Sequence, residues 1–170
     1  IIAMTEARRW AVKQRRLTEE ALRESERRYR RLIEDSPDGI ALFNEGKMVF
    51  ANPTAVRLVG ASGIEEMMDK SILDFVHPED KTRALNHMRE VLNERKGLPA
   101  CEIRLLRLGG QTVDVEFTGM PFEQMGHRST HIVLHDITER KQAEEERAKL
   151  EAQVRYAQKL ESLGILAGGI

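Results

Sequence analysis

The sequence predicts an α+β domain: an antiparallel sheet whose short helices stand between two groups of strands, with a long helix at either end. Three observations predict it. Residues 5 to 34 and Lys141 to Ser162 contain no Gly or Pro and are dense in charge, as exposed helices are. Short apolar runs bounded by Gly and Asn turns fall in two groups, around residues 40–51 and 101–135. Between the groups lie two helix-start signatures, Asn52-Pro53 and His77-Pro78-Glu79-Asp80. Strands that come in runs, with the helices segregated between them, favour antiparallel pairing on one sheet.

The bulk composition narrows the class. The 170 residues suit one ordinary domain plus extra helical length. A charged fraction of 32% against 5% aromatic favours exposed helices over a large core. The net charge of −1 argues against general nucleic-acid binding. A single cysteine, Cys101, allows neither an internal disulfide nor a cysteine metal cluster and suits a reducing, cytoplasmic setting. No run approaches the roughly 18 apolar residues that span a bilayer. There is no signal peptide, and both ends read as cut from something longer, so a membrane is reached only through a parent chain, if at all.

Taken in order, residues 5 to 34 hold ten Lys or Arg and six Asp or Glu. Trp10 and Leu17, and Leu22 and Tyr29, are each seven apart, but no a/d pair is sustained between them, so a solvated single helix and a coiled coil both fit. Its last turn, Tyr29, Leu32 and Ile33, is the part expected to pack on the next domain. Ser36-Pro37-Asp38-Gly39 breaks the helix. Ile40 to Phe43 and Met48 to Ala51 form a hairpin through Asn44-Glu45-Gly46-Lys47. Asn52 caps a helix with Pro53 at its first position, and Gly60 ends it. A short Met-rich segment follows. Pro78 opens the next helix, with Glu79 and Asp80 complementing its dipole. Leu85, Met88, Val91 and Leu92 give that helix an apolar face, and Gly97-Leu98-Pro99 closes it. Residues 101 to 108, a two-residue turn at Gly109-Gly110, the alternating Val113, Val115 and Phe117, a turn at Gly126 and a last strand to His135 complete the sheet.

The last strand feeds a helix with no loop between. The junction is Asp136, Ile137, Thr138, Glu139 and Arg140. Thr138 stands where the period changes and is expected to cap the helix; Glu139 puts negative charge in its first turn, and Asp136 is expected to hold the junction by polar contacts. Beyond it Ala143, Leu150, Ala157 and Gly164 are spaced by seven, with Val154 beside Leu150 and Ala157, which is a short heptad seam. Leu160, Leu163, Ala167 and Ile170 follow another phase. A seam that changes phase can hold two registers of similar energy.

The motifs now on the page resemble a known family. Ser36-Pro37-Asp38-Gly39-Ile40, Ala51-Asn52-Pro53-Thr54-Ala55, His77-Pro78-Glu79-Asp80, Glu102-Ile103-Arg104 with Gly110, and Asp136-Ile137-Thr138-Glu139-Arg140 together look like a PAS sensor domain over roughly residues 27 to 140. The resemblance implies a five-stranded antiparallel sheet with a helical layer on one face, and signalling through the helix that leaves the last strand. Residues 158–170 look like the start of the dimerisation helix of a sensor histidine kinase, stopping just short of the phosphate-accepting His. The resulting division is an N-terminal signalling helix at 1–34, a PAS domain at 35–137, a linker coiled coil at 138–160 and the start of the dimerisation helix at 161–170. Met4-Thr5-Glu6-Ala7-Arg8-Arg9 resembles the junction itself, so residues 1–3 are compatible with the end of a preceding PAS strand; the stub of a transmembrane helix with the basic flank Arg8, Arg9, Lys13, Arg15 and Arg16 also fits.

The resemblance implies a sensory module of a two-component histidine kinase, acting as a homodimer on a downstream kinase domain of the parent chain and, through it, a response regulator. No activity is expected in the chain itself. An apolar space is expected between sheet and helices, lined by Leu42, Leu58, Met67, Ile72, Phe75, Leu85, Met88, Ile103, Val115, Phe117 and Val133; packed core and a pocket for an unidentified small molecule both fit, as does a ligand-free spacer. No cofactor or metal is assigned. His87 falls on the helix that supplies the haem ligand in haem-binding members, but Asn86-His87-Met88 does not match their pattern. Cys101 precedes a strand, unlike the adduct-forming cysteine of flavin light sensors, and reads as a small buried hydrophobe. His77 reads as a helix-start residue, and His131 and His135 as sheet residues.

Overall fold

The computed structural model describes residues 2–94, 99–124 and 126–167. Helix α1 (Ile2–Glu34) leads into strands β1 (Gly39–Asn44) and β2 (Lys47–Ala51) and a short helix α2 (Pro53–Leu58). Three 3-10 turns, Ile64–Glu66, Ile72–Asp74 and Pro78–Asp80, precede helix α3 (Lys81–Glu94). Strands β3 (Cys101–Leu106), β4 (Thr112–Gln124) and β5 (His127–Asp136) then run into helix α4 (Thr138–Ala167). The five strands make one antiparallel sheet in the order β2-β1-β5-β4-β3. Because β1 pairs with β5, Gly39 lies opposite Leu134, and the end of α1 meets the start of α4 at one corner.

Local chemistry accounts for the turns. Glu45 and Gly46 take φ of 49° and 81°, the tight two-residue turn that suits the twist of a hairpin. The β3–β4 connection is wider than two residues: Arg107 N–H donates to Gln111 O at 2.7 Å, and Gly110 takes φ +83° inside the turn. Strands β4 and β5 run past the alternating core, to the pair Gln124 and His127. Pro121 is tolerated there because it lies beyond Phe117, the last residue of β4 paired with β3, where β4 has a strand on one side only.

The core covers one face of the sheet. Ala41, Phe43, Met48, Ile103, Leu105, Val115, Phe117, Ile132 and Leu134 meet Ala55, Leu58, Met67, Ile72, Phe75, Val76 and Ala84 from the helical layer. Gly39 sets the phase. A Cβ there would stand 2.8 Å from Leu58 Cδ1 and 3.1 Å from Ala55 Cα, so α2 packs directly on the β1 backbone. Alternation from an inward Gly39 turns Ala41 and Phe43 inward and Leu42 outward. Leu134, opposite Gly39, is inward too, which turns Val133 outward. Leu42 and Val133 therefore stand on the far face, not in the expected lining. Leu85 also departs from it: the inward stripe of α3 is Ala84, Met88 and Val91, and Leu85 is only half-buried beside it. Ile2 and Ala3 are helical rather than strand, in the first turn of α1, where their carbonyls accept from amides four residues on while their own N–H groups have no helical partner. Gly97 and Leu98, expected to close α3, lie outside the described residues, as do Ile1 and Ile170.

Candidate functional site

The corner where α1 arrives and α4 departs is built on Asn52. Its side chain is fully buried and uses its whole hydrogen-bonding capacity. Oδ1 accepts from Ile40 N–H and Ala55 N–H, both at 2.9 Å, and so caps α2 and starts β1. Nδ2 donates to the carbonyls of Ile33 and Asp38, both at 2.9 Å. Ile33 lies in the last turn of α1, where carbonyls lack helical partners. Thr54 Oγ1 adds a bond to Ser36 O at 2.7 Å. The Asn-Pro signature announces the cap, but not the reach back to α1, which depends on the chain folding over.

On the departing side Ile137 is buried and its N–H donates to Asp114 O at 3.0 Å. The helix cap is Asp136, not Thr138. Asp136 Oδ1 accepts from Thr138 N–H at 2.9 Å, as a carboxylate two residues ahead of an amide readily does, whereas Thr138 is already the first helical residue and its buried Oγ1 has no protein partner. Arg140 meets Glu102 at 2.7 Å, and Lys141 lies 3.1 Å from Glu102 and 3.2 Å from Asp114. These acids come from β3 and β4, so two strands grip the first turn of the helix. The hydrogen bonds from Arg140 and Lys141 hold the Glu102 carboxyl below its ordinary range, and Glu102 in turn raises Lys141. Glu139 is exposed. Two basic residues directly after a strand were the signal that acidic partners were needed; which acids answered depended on strand order.

A last link joins the two sides. His135 Nδ1 lies 2.7 Å from Asp38 Oδ1, between the end of β5 and the loop after α1.

The remaining predicted residues lie elsewhere. Leu58, Met67, Ile72, Phe75, Ile103, Val115 and Phe117 are buried together in the core, with Met88 packed against it. His87 stacks edge-on to Phe117 with ring centroids 4.8 Å apart, and its buried Nε2 has no protein partner. It borders an open cleft of about 520 Å³ shared with Thr82, Arg83, Asn86 and Cys101. Burial pushes the Cys101 thiol up, away from the reactive thiolate. Asp80, almost wholly buried, accepts from the Arg104 side chain and backbone and from Arg83, and these hold its carboxyl far below the usual range. That cluster ties β3 to the turn before α3. Among the described residues no group of three or more His, Cys, Asp or Glu is placed to hold a metal ion, and no helix is long and apolar enough to cross a membrane. On α4, Leu150 and Val154 are both 55% exposed, and Ala143, Ala157 and Gly164 are exposed as well.

This architecture is shared with known proteins. A family model described as the PAS fold matches residues 27–154. Sporulation kinase A of Bacillus subtilis is 30% identical over 149 residues, covering 88% of this chain and 23% of the relative. Sporulation kinase E of the same organism is 30% identical over 161 residues, covering 94% of this chain and 20% of the relative. The chain thus spans about a fifth of the length of these curated relatives. The crystal structure of the PAS domain of an HTR-like protein from Haloarcula marismortui superposes with a TM-score of 0.57 at 25% identity, covering 72% of this chain and 99% of that one. With the sheet order, the helical layer over one face and the strand-to-helix junction all in place, the family match over three quarters of the sequence places this chain in the PAS-fold family.

Proposed function

We propose that the chain is the sensory and signal-transducing module of a two-component histidine kinase, and that it passes its signal through Asp136 to Arg140 into a parallel dimeric coiled coil that sets kinase activity. The observation that carries this reading is α4. It leaves β5 without a loop, is gripped by Glu102 and Asp114, and then presents Leu150, Val154, Leu160 and Leu163 to water, each more than half exposed. Apolar side chains that stand open along a helix, with no partner for them among the described residues, suit a second helix. The kinase relatives support the output. Its partners are then a second copy, the catalytic domain of the parent chain and a response regulator, all in the cytoplasm. A change of shape in the sheet domain rotates the gripped first turn, and the phase change between Ala157 and Leu160 supplies two seam registers to choose between.

The test is disulfide crosslinking of Leu150→Cys, Val154→Cys and Ala157→Cys, each in a Cys101→Ser background. The seam positions crosslink into dimers; failure at all three overturns the parallel dimer. A second reading, a spacer without a ligand, is favoured by Phe43, Met48, Met67, Phe75 and Phe117, bulky side chains that occupy the space between sheet and helices. Native mass spectrometry separates the two, since a ligand adds its mass to the chain.

A further inference from the structure

We infer that the corner at Asn52 couples α1 to α4 directly, so that a displacement of the last turn of α1 reaches the output helix without passing through the apolar core between sheet and helices. On this view the module relays signals that arrive along α1 in addition to any it senses itself, and Asn52, Asp38 and His135 are the positioning residues of that relay. The inference rests on the reading of α4 as the output helix.

The path is short and every step is a hydrogen bond or a covalent neighbour. The Ile33 carbonyl of α1 accepts from Asn52 Nδ2 at 2.9 Å; the same nitrogen donates to Asp38 O at 2.9 Å; Asp38 Oδ1 lies 2.7 Å from His135 Nδ1. His135 is followed in the chain by Asp136, whose Oδ1 holds Thr138 N–H at 2.9 Å. Asn52 has no spare bond, so α1 cannot shift its last turn without drawing Asn52 and Asp38 along or leaving a buried amide hydrogen unpaired. Tyr29 and Leu32 are 66% and 65% exposed, so the last turn of α1 is tied to the body through the Ile33 carbonyl more than through an apolar seam. A rod held at its tip by hydrogen bonds acts as a lever on them. The pair Asp38–His135 is then the side-chain link, among the described residues, that carries the movement from the loop after α1 to the end of β5, beside the backbone ladder of Gly39 with Leu134.

Amide hydrogen exchange on the 170-residue chain tests this. Arg28→Pro breaks α1 one turn before the corner and outside the bonded path. It is expected to raise exchange at the Ile137 and Lys141 amides about two- to fivefold, the scale of one exposed charged pair, while the β3–β4 ladder stays unchanged. In a His135→Ala background the same substitution no longer moves those two amides. Asp38→Asn, which keeps the main-chain bond to Asn52, is a second and milder break of the link and must blunt the effect as well. The inference is overturned if Arg28→Pro leaves Ile137 and Lys141 untouched, or if its effect survives both breaks at full size. The exchange readout needs no dimer, so a failure of the α4 crosslinks bears on the dimeric output alone.

Discussion

Phe117, Leu105 and Ile132 in the sheet domain are almost wholly shielded from water, whereas Leu150, Val154 and Leu160 on α4 keep more than half of their surface in it. The sheet domain closes its own core; among the described residues nothing covers Leu150, Val154 and Leu160 of α4. Burial is therefore concentrated in the sheet and its helical layer, and open apolar surface in the helix. The two long helices also differ in how the body holds them. Helix α1 is held by neutral hydrogen bonds from a buried amide, which are short-ranged and indifferent to salt. Helix α4 is held by a buried Ile137 and by exposed charge pairs, which salt weakens.

Substitutions that break this contrast are ranked by expected size. Phe117→Ala empties the centre of the core and is expected to cost about 4 kcal/mol in urea unfolding, whereas Leu150→Ala, measured on the monomer, changes it by less than about 0.5 kcal/mol. Asn52→Ala leaves buried donors and acceptors unpaired at the corner and is expected to cost about 3 kcal/mol by the same measurement. Asp80→Asn removes the charge partner of Arg83 and one of the two carboxylates on Arg104, which keeps Glu79, and is expected to cost about 2 kcal/mol near neutral pH, since the arginines are partly open to solvent. Its sign with pH follows from the depressed carboxyl. In the folded chain Asp80 stays ionised where the unfolded chain takes up a proton, so its contribution is complete above the ordinary aspartate value of about 3.9 and is lost as pH falls below it. The unfolding free energy of the parent sequence accordingly drops more steeply in that acid range than that of Asp80→Asn. Smallest is Glu102→Gln: the unfolding midpoint stays where it was, and only the Lys141 amide exchanges faster as the first turn of α4 loosens.

Particular residues show how far local pattern reaches. Ile103, Val115 and Phe117 alternate as core strands do, and they are core. Asn52-Pro53 and His77-Pro78 start helical turns where such pairs start them, with His77 Nδ1 accepting from Glu79 N–H at 3.4 Å. Leu42 and Val133 have the same composition as core residues but the opposite side, because alternation states a period and not a phase. The cap falls on Asp136 rather than Thr138 for a related reason: both residue types cap helices, and local pattern does not say at which of them the first turn begins.

By itself the sequence determined the order of the strands and the long helices, the hairpin at Glu45-Gly46, the charge-dense helices and the direct passage from β5 to α4, since each of these follows from residues within a few positions of one another. Tertiary structure alone decided what lies between distant segments. Close packing of α2 on Gly39 chose which face of β1 is inside. The strand order β2-β1-β5-β4-β3 brought Asp38 to His135 and set Glu102 and Asp114 under Arg140 and Lys141. Those contacts join residues far apart in the chain, and only the closing of the sheet makes them neighbours.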